Sequence, residues 1–167
     1  MTALPLILRT EHPGDTHGIE RLHARAFGPG RFARTAYRLR EGSAPVADLC
    51  FAALVGSYLV GSVRLWPAQA GGLLLVLGPL TVDPSFEGRG IGGALMNKAL
   101  DAARAAGHGL VVLVGDAPYY RRFGFTPVPP GRLIPPGPVD PARFLWCELV
   151  PGARETVAGN VSAVRPR

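Results

Sequence analysis

The fold-deciding stretch of this chain is Leu80-Thr81-Val82-Asp83-Pro84-Ser85-Phe86-Glu87-Gly88-Arg89-Gly90-Ile91-Gly92-Gly93. An apolar run over residues 73–82 leads into it, and Asp83-Pro84 ends that run. A short loop rich in glycine follows. Apolar residues then recur at three- and four-residue steps over residues 91–106, a spacing that is typical of one helix face. The stretch therefore predicts a strand, a glycine-rich turn and a helix.

A turn of this kind suits a phosphate ligand. Glycine lets the main chain approach a ligand closely and adopt positive φ. The first N–H groups of a helix have no partner within it and lie at the positive end of its dipole, so the main chain at residues 87–93 is predicted to bind a pyrophosphate. The spacing Gly88-x-Gly90-x-Gly92 does not fit the dinucleotide fingerprint, and the sequence has no P-loop lysine motif. On these residues alone, the glycines could also serve only to make a tight turn.

Two motifs resemble those of one family, the GCN5-related N-acetyltransferases (GNAT superfamily). Val82-x-Pro84-x-x-x-Gly88-Arg89-Gly90-Ile91-Gly92 resembles that family's acetyl-coenzyme A loop, commonly written Q/R-x-x-G-x-G/A. The second motif, a tyrosine four residues before Gly-Phe, is matched by Tyr120 ahead of Gly124-Phe125. The run Leu77-Gly78-Pro79-Leu80-Thr81-Val82-Asp83-Pro84 is similar to one in small bacterial predicted N-acetyltransferases. Glu87 departs from the pattern, because Gln or Arg is usual there and a carboxylate beside a pyrophosphate is unfavourable unless it points away.

The length predicts one domain over residues 1–167, with a core at about 4–150 and a weakly patterned tail at 151–167 that is expected to be partly mobile. The resemblance implies an α/β fold. Its sheet would be mixed, mostly antiparallel and flanked by helices, with splayed central strands and a β-bulge near Gly78-Pro79. Proline cannot donate to a strand ladder and lies at edges or bulges, which fits that position. Periodicity and turn residues predict these further elements: strands at 4–9, 49–55, 58–66, 110–114, 125–128 and 144–150, and helices at 17–27, 31–40 and 118–123.

The same resemblance implies acetyl-coenzyme A (acetyl-CoA) as cosubstrate and a primary amine as acceptor. The backbone of Leu80, Thr81 and Val82 would serve pantetheine and the thioester carbonyl. The pyrophosphate would be held by Glu87, Gly88, Arg89, Gly90, Ile91, Gly92 and Gly93. Tyr120 would be the general acid toward the leaving thiolate, with Tyr119 as the alternative, although either could be a packing residue.

No general base is identified from the sequence. Asp116, at the end of the strand predicted at 110–114, is the candidate, and Asp83, Glu148 and His108 are other titratable groups. In the resembling family the amine often loses its proton through a chain of waters instead. Many relatives also have an asparagine after this strand, where the present chain has Gly115-Asp116.

Charge, hydropathy and cysteine content restrict the other possible functions and locations of the protein. The net charge of +6 suits a ligand with several phosphates, but the arginines are scattered and lack interleaved stacking aromatics, so we expect no nucleic-acid partner. No run of eighteen apolar residues and no signal peptide is found, which predicts a cytoplasmic protein without a membrane span. Cys50 and Cys147 lie in apolar segments and are predicted to be reduced core residues, and no Cys/His spacing predicts a metal.

The acceptor is not indicated by any motif. Both a small molecule and a peptide are compatible with the pattern, and specificity is expected from residues 26–42 and 128–143. A non-catalytic acyl-CoA sensor is the alternative function, and a nucleic-acid-binding protein is the more remote one. A monomer and a homodimer are both compatible with the sequence.

Overall fold

The computed structural model describes residues 5–27 and 35–166. Its strands are β1 (Leu6–Thr10), β2 (Phe51–Val55), β3 (Tyr58–Ala70), β4 (Gly72–Val82), β5 (Leu110–Val114), β6 (Thr126–Pro127), β7 (Leu133–Ile134), β8 (Phe144–Glu148), β9 (Gly159–Asn160) and β10 (Ser162–Ala163). Its helices are α1 (Thr16–Phe27), α2 (Thr35–Arg38), α3 (Ile91–Ala105) and α4 (Ala117–Tyr120). The helix predicted at 31–40 is represented by α2, and residues 31–34 lie outside the described part of the chain.

The main sheet has the strand order β1-β2-β3-β4-β5-β8-β6, with β10 pairing to β3. Strands β4 and β5 run parallel, and α3 makes the crossover between them, while the other described pairs of this sheet are antiparallel. The predicted mixed, mostly antiparallel sheet flanked by helices is therefore confirmed. The strand predicted from residue 49 begins two residues later, because Ala47–Leu49 forms a 3₁₀ turn.

Helix α3 packs on one face of the sheet because its small and apolar residues share one side. Leu95, Ala99 and Ala103 are fully buried there, and alanine lets the helix axis approach the strands closely. Helix α1 lies on the other face, where Ile19 and Leu22 are buried. The two helices thus enclose the central strands β3 and β4 from opposite sides.

The β-bulge predicted near Gly78-Pro79 is confirmed. Val63 of β3 pairs with Leu80 of β4, but Leu65 pairs with Leu77, so Gly78 and Pro79 together lie opposite Arg64. The peptide bond between the two bulge residues is cis. The indole Nε1 of Trp66 donates a hydrogen bond of 2.7 Å to the carbonyl of Gly78, which fixes the bulge to β3.

The predicted splay of the central strands is also confirmed. Strand β4 pairs with β5 at two positions, Leu75 with Val111 and Val76 with Val112. Beyond Val76 the two strands separate, while β4 continues for six more residues to Val82. One edge of this part of β4 therefore faces an opening instead of a neighbouring strand.

The segment after Val150 has a defined path, although its weak pattern assigned it no element. Strand β10 pairs with β3 through Ser162 and Ala163, and β9 pairs in parallel with β7. Val157 and Val161 are buried, so this segment contributes to the core under the β3–β4 hairpin. Cys50 and Cys147 are buried free thiols, as expected, and burial raises the pKa of Cys50 to about 11.

Candidate active site

The opening between β4 and β5 leads into a cavity of about 1080 Å³. Its floor consists of the two separating strands, through residues such as Leu77, Leu80 and Leu113. Helices α1 and α2 and the loop at 138–143 form the opposite wall. Phe27, several described residues from 35 to 40 and several from 138 to 143 thus line the cavity, within the segments from which acceptor specificity was expected.

The glycine-rich turn begins where β4 ends. Gly88 and Gly90 have φ of +77° and +78°, and a Cβ built on either would meet no heavy atom within 4 Å. The first hydrogen bond inside α3 runs from the N–H of Ala94 to the carbonyl of Gly90, at 3.0 Å. The preceding N–H groups therefore have no partner within the helix. A side chain at residue 88 or 90 would enter the open space beside the turn, so glycine keeps that space free, as a pyrophosphate cradle requires.

The other residues of the turn differ in what they offer. Glu87 and Arg89 are exposed, and the Arg89 guanidinium carbon lies 4.9 Å from the centre of the Phe86 ring. Ile91 is buried in the core, so only its main chain faces the turn. Gly93 lies over the Phe123 ring, whose tip is 3.8 Å from a built Cβ.

Asp83 holds the start of the turn to α1. The residue is 2% exposed, and its Oδ1 accepts a hydrogen bond of 2.9 Å from the N–H of Ser85. Its Oδ2 forms a 2.9 Å ion pair with Arg25 of α1. Asp83 is thus a capping and linking residue rather than a group that faces the cavity.

The last residues of β4 point in different directions. Leu80 and Val82 both pack against the core under α3, and Leu80 also lines the cavity. Thr81 is buried with its Oγ1 lacking a hydrogen-bond partner among the described residues. The main-chain edge of β4 at these three residues has no partner in β5, and the expectation that they act through backbone groups stays a prediction.

The two adjacent tyrosines occupy different sides of the cavity mouth. The Tyr119 hydroxyl reaches toward α3, where a Cβ on Gly92 would lie 2.9 Å from it. The Tyr120 ring instead packs against Gly115, and a Cβ on that glycine would lie 2.9 Å from the ring Cδ2. Burial raises the pKa of Tyr120 to about 12, so its hydroxyl keeps its proton at neutral pH.

The contact between Tyr120 and Gly115 leaves no room for a side chain at residue 115. An asparagine after β5 would place side-chain atoms where the Tyr120 ring lies. Asp116 follows, exposed at the cavity rim, and its carbonyl accepts hydrogen bonds from the N–H groups of Tyr119 and Tyr120 at 3.1 Å each. Of the titratable groups named from the sequence as possible bases, Asp116 lines the cavity, whereas Asp83, Glu148 and His108 do not.

Several cavity residues carried no signal in the sequence. They are Glu20, His23, Arg40, Trp66 and Arg143. These residues lie on α1, after α2, on β3 and before β8, so no local motif unites them. For Arg40 alone, the periodicity of its predicted helix gave partial information, because it placed Arg40 on the same side as Tyr37.

The structure adds two findings on expectations drawn from composition. Within residues 5–27 and 35–166, no group of three or more His, Cys, Asp or Glu side chains could hold a metal ion. None of the helices in that part of the chain has the length and apolar character needed to cross a bilayer.

Comparison with known proteins decides the family. A model of the acetyltransferase (GNAT) domain matches residues 47–127. The uncharacterized N-acetyltransferase YjhQ of Escherichia coli K12 is 30% identical over 160 residues, which cover 91% of this chain and 88% of YjhQ. The chain belongs to the GNAT family. A second GNAT relative from the same organism, the uncharacterized N-acetyltransferase YhbS, is 32% identical over 123 residues, covering 72% of this chain and 73% of YhbS.

Solved GNAT structures share the whole architecture. The crystal structure of Escherichia coli YhbS in complex with CoA superposes with a TM-score of 0.82 at 29% identity, covering 98% of this chain and 92% of that one. A GNAT acetyltransferase from Brucella melitensis in complex with acetyl-CoA gives a TM-score of 0.62 at 28% identity, covering 85% of this chain and 95% of that one. The similarity therefore includes the tail after Val150 as well as the two motifs.

Proposed function

We propose that this GNAT protein transfers an acetyl group from acetyl-CoA directly to a primary amine. One observation carries the proposal: the part of β4 that has left β5 runs from a cavity lined by Leu77, Leu80 and Tyr120 to the glycine-rich N-terminus of α3. The CoA and acetyl-CoA complexes of the two structural relatives support the choice of cosubstrate.

The residues present fit the coenzyme. The N–H groups of residues 88–93 would bind the pyrophosphate, and the empty space beside Gly88 and Gly90 leaves room for it. The unpaired edge of β4 at Leu80, Thr81 and Val82 would hydrogen-bond to pantetheine, as a neighbouring strand would. When bound, acetyl-CoA supplies a thioester, an activated acyl group with a thiolate leaving group.

Tyr120 is the proposed general acid. A hydroxyl whose pKa is about 12 remains protonated in the pH range where the protein would work, so it can give a proton to a thiolate. Its ring is fixed between Gly115 and the edge of Phe125, whose ring centre is 6.0 Å away. Tyr119 stays the alternative, although its hydroxyl is directed toward Gly92.

The acceptor amine must lose a proton, because an alkylammonium has a pKa of about 10. Asp116 is the proposed base, acting directly or through water from the exposed rim of the cavity. The carboxylate of Glu20 also lines the cavity and can attract an ammonium group. A cytoplasmic location and the absence of a nucleic-acid partner stay predictions from the sequence.

The test has two independent parts. Calorimetric titration with acetyl-CoA should give micromolar binding, and release of free CoA thiol should depend on an added amine drawn from a panel of primary amines. Absence of acetyl-CoA binding would overturn the proposal. Binding without transfer to any amine would favour the acyl-CoA sensor instead.

A further inference from the structure

Among the described residues, the arginines that line the cavity are Arg40, Arg64 and Arg143. Arg143 is exposed, and Arg64 is neutralised within the protein. Arg64 of β3 forms a bidentate pair with Glu11, with its Nε 3.0 Å from Oε2 and its Nη2 2.7 Å from Oε1. Glu20 adds a more distant contact, 3.9 Å from Nη1. The positive charge of Arg64 is therefore already matched by carboxylates.

Arg40 lacks such a match. Within residues 5–27 and 35–166, no carboxylate lies within ion-pair distance of its guanidinium. The segments outside that description, residues 1–4, 28–34 and 167, contain no Asp or Glu. In the described part of the chain its guanidinium makes one hydrogen bond, from Nη1 to the carbonyl of Ala36 at 2.9 Å. A guanidinium carries five N–H donors, so most of those of Arg40, a residue that lines the cavity, have no acceptor among the described residues.

The surroundings of Arg40 make a charge without a counterion less favourable than it would be in water. Its guanidinium carbon lies 5.5 Å from the Tyr37 ring centre and 5.9 Å from the Trp66 ring centre. Burial lowers the pKa of Arg40 to about 10, which still leaves it charged at neutral pH. A half-buried charge without a close counterion is unfavourable, and an anionic ligand at this place would relieve that cost.

The position of Arg40 relates it to the reacting end of the cavity. A Cβ built on Gly78 would lie 3.9 Å from Arg40 Nη1. Gly78 is the bulge residue at which β4 has left β5, next to the strand edge proposed to hold the thioester. An anion on Arg40 would thus lie beside the opening, in the cavity that Tyr120 also lines.

We propose that the acceptor is an amino carboxylate, a small molecule whose primary amine and carboxylate are a few bonds apart, and that Arg40 binds the carboxylate. The inference rests on the proposed acetyltransfer. One guanidinium suits the single charge and planar fork of a carboxylate better than a phosphate group, because Arg64 is already paired and Arg143 is exposed to solvent. The apolar walls at Phe27, Trp66 and Val139 favour an acceptor with an apolar side chain.

The proposal also disfavours two other amine classes. A polyamine would bring more positive charge toward Arg40. The N-terminus of a peptide has an amide where an amino acid has its carboxylate, so it could not form a charge-assisted pair there.

The experiment compares three matched ligands, L-phenylalanine, L-phenylalaninamide and phenethylamine, on four proteins. The proteins are the wild type, Arg40→Gln, Arg40→Lys and a control, Arg38→Gln, which removes the same charge from an exposed position on α2. Each protein is first titrated with acetyl-CoA. Binding of each ligand to the CoA-loaded protein is then measured by calorimetry, and acetyl transfer is measured by release of CoA thiol.

We expect the wild type and Arg38→Gln to bind and acetylate phenylalanine roughly 10- to 100-fold better than its amide. Arg40→Gln should abolish that preference, and Arg40→Lys should retain part of it, with acetyl-CoA affinity unchanged in all four proteins. Equal binding of the acid and the amide to the wild type, or a preference that Arg40→Gln keeps, would overturn the inference.

The two claims fail in different ways. If acetyl-CoA binds and an amine without a carboxylate is the better acceptor, the amino carboxylate is wrong and acetyltransfer stands. If acetyl-CoA does not bind, acetyltransfer itself is wrong, and the same calorimetric comparison of acid with amide, made on the protein without coenzyme, still tests carboxylate binding by Arg40 independently.

Discussion

The coenzyme side and the acceptor side of this protein are built by different means. On the coenzyme side, residues 80–93 present mostly main-chain groups, and the side chains there are absent, exposed or turned into the core. On the acceptor side, the cavity wall consists of side chains such as Glu20, Arg40 and Trp66, which come from separate elements. The contrast suggests that the first side is tied to one ligand, while the second can change its ligand by changing single residues.

Binding of acetyl-CoA by main-chain groups should be lost when a side chain fills the space beside the turn. This is the largest effect that we expect. Gly90→Asp places bulk and negative charge at the open side of the turn, so acetyl-CoA binding should be lost in calorimetry. The matched control is Gly107→Asp, at the other end of α3, where φ is +88° and a built Cβ also meets nothing within 4 Å. Equal loss of binding in both variants would mean that strain, not the ligand, explains the effect.

Removing the Tyr120 hydroxyl oxygen should lower turnover more than it weakens acetyl-CoA binding. Tyr120→Phe is expected to lower kcat by roughly ten- to a thousandfold, with acetyl-CoA affinity nearly unchanged, because only proton donation is removed. Steady-state kinetics and calorimetry on the same samples would measure both.

Tyr119→Phe is the paired variant and should have the smaller effect on kcat. A larger loss in Tyr119→Phe would exchange the roles of the two residues. Since the pKa of Tyr120 is about 12, its ionisation should cause no fall in kcat as pH rises from neutrality toward about 10, the ordinary tyrosine value.

The link between the two sides is predicted to contribute to stability. Asp83→Ala removes both the hydrogen bond from Ser85 and the ion pair with Arg25, and the free energy of unfolding should fall by about 1–3 kcal/mol. Asp83→Asn keeps the capping oxygen and should lose about half as much. Urea denaturation would measure both, and identical losses would show that the charge alone accounts for the effect.

The smallest effect is expected at the one residue where the turn departs from its family pattern. Glu87 is exposed, so its carboxylate can turn away from a pyrophosphate and its repulsion is screened by salt. Glu87→Gln should tighten acetyl-CoA binding by only about two- to fivefold at low salt, and by less at high salt. Calorimetry at two salt concentrations tests this, and tighter binding that does not depend on salt would contradict the electrostatic explanation.

The same contrast explains how much could be predicted from the sequence. The turn at residues 87–93 and the bulge at Gly78-Pro79 were predictable because glycine and proline act locally, on the main chain of their own segment. The charge balance at Arg40 was not, because it depends on which carboxylates come near in three dimensions. Glu11 is 53 residues from Arg64 in sequence and neutralises it, and nothing in the pattern showed that Arg40 would have no such partner.

The tail after Val150 shows a further limit of pattern. Its strands are two residues long, too short for alternation to be recognised, and β10 gains its position by pairing with Gln69 and Ala68 of β3. The different surroundings of Tyr119 and Tyr120 could not be predicted either. Tyr119 lies against Gly92 and Tyr120 against Gly115, and no local sequence pattern associates these glycines with the two rings.

The bulge in β4 also changes the phase of the strand. Before it, odd-numbered residues such as Leu75 and Leu77 face α3, and after it the even-numbered Leu80 and Val82 take that side. Without the extra residue, Thr81 would face the apolar core and Leu80 would face α1. The strand therefore behaves as two half-strands of opposite parity. A one-residue insertion or deletion between Leu77 and Leu80 would move every later side chain of β4 to the opposite face of the sheet. We therefore expect the segment between Leu77 and the glycine-rich turn to tolerate substitutions far better than a change of length.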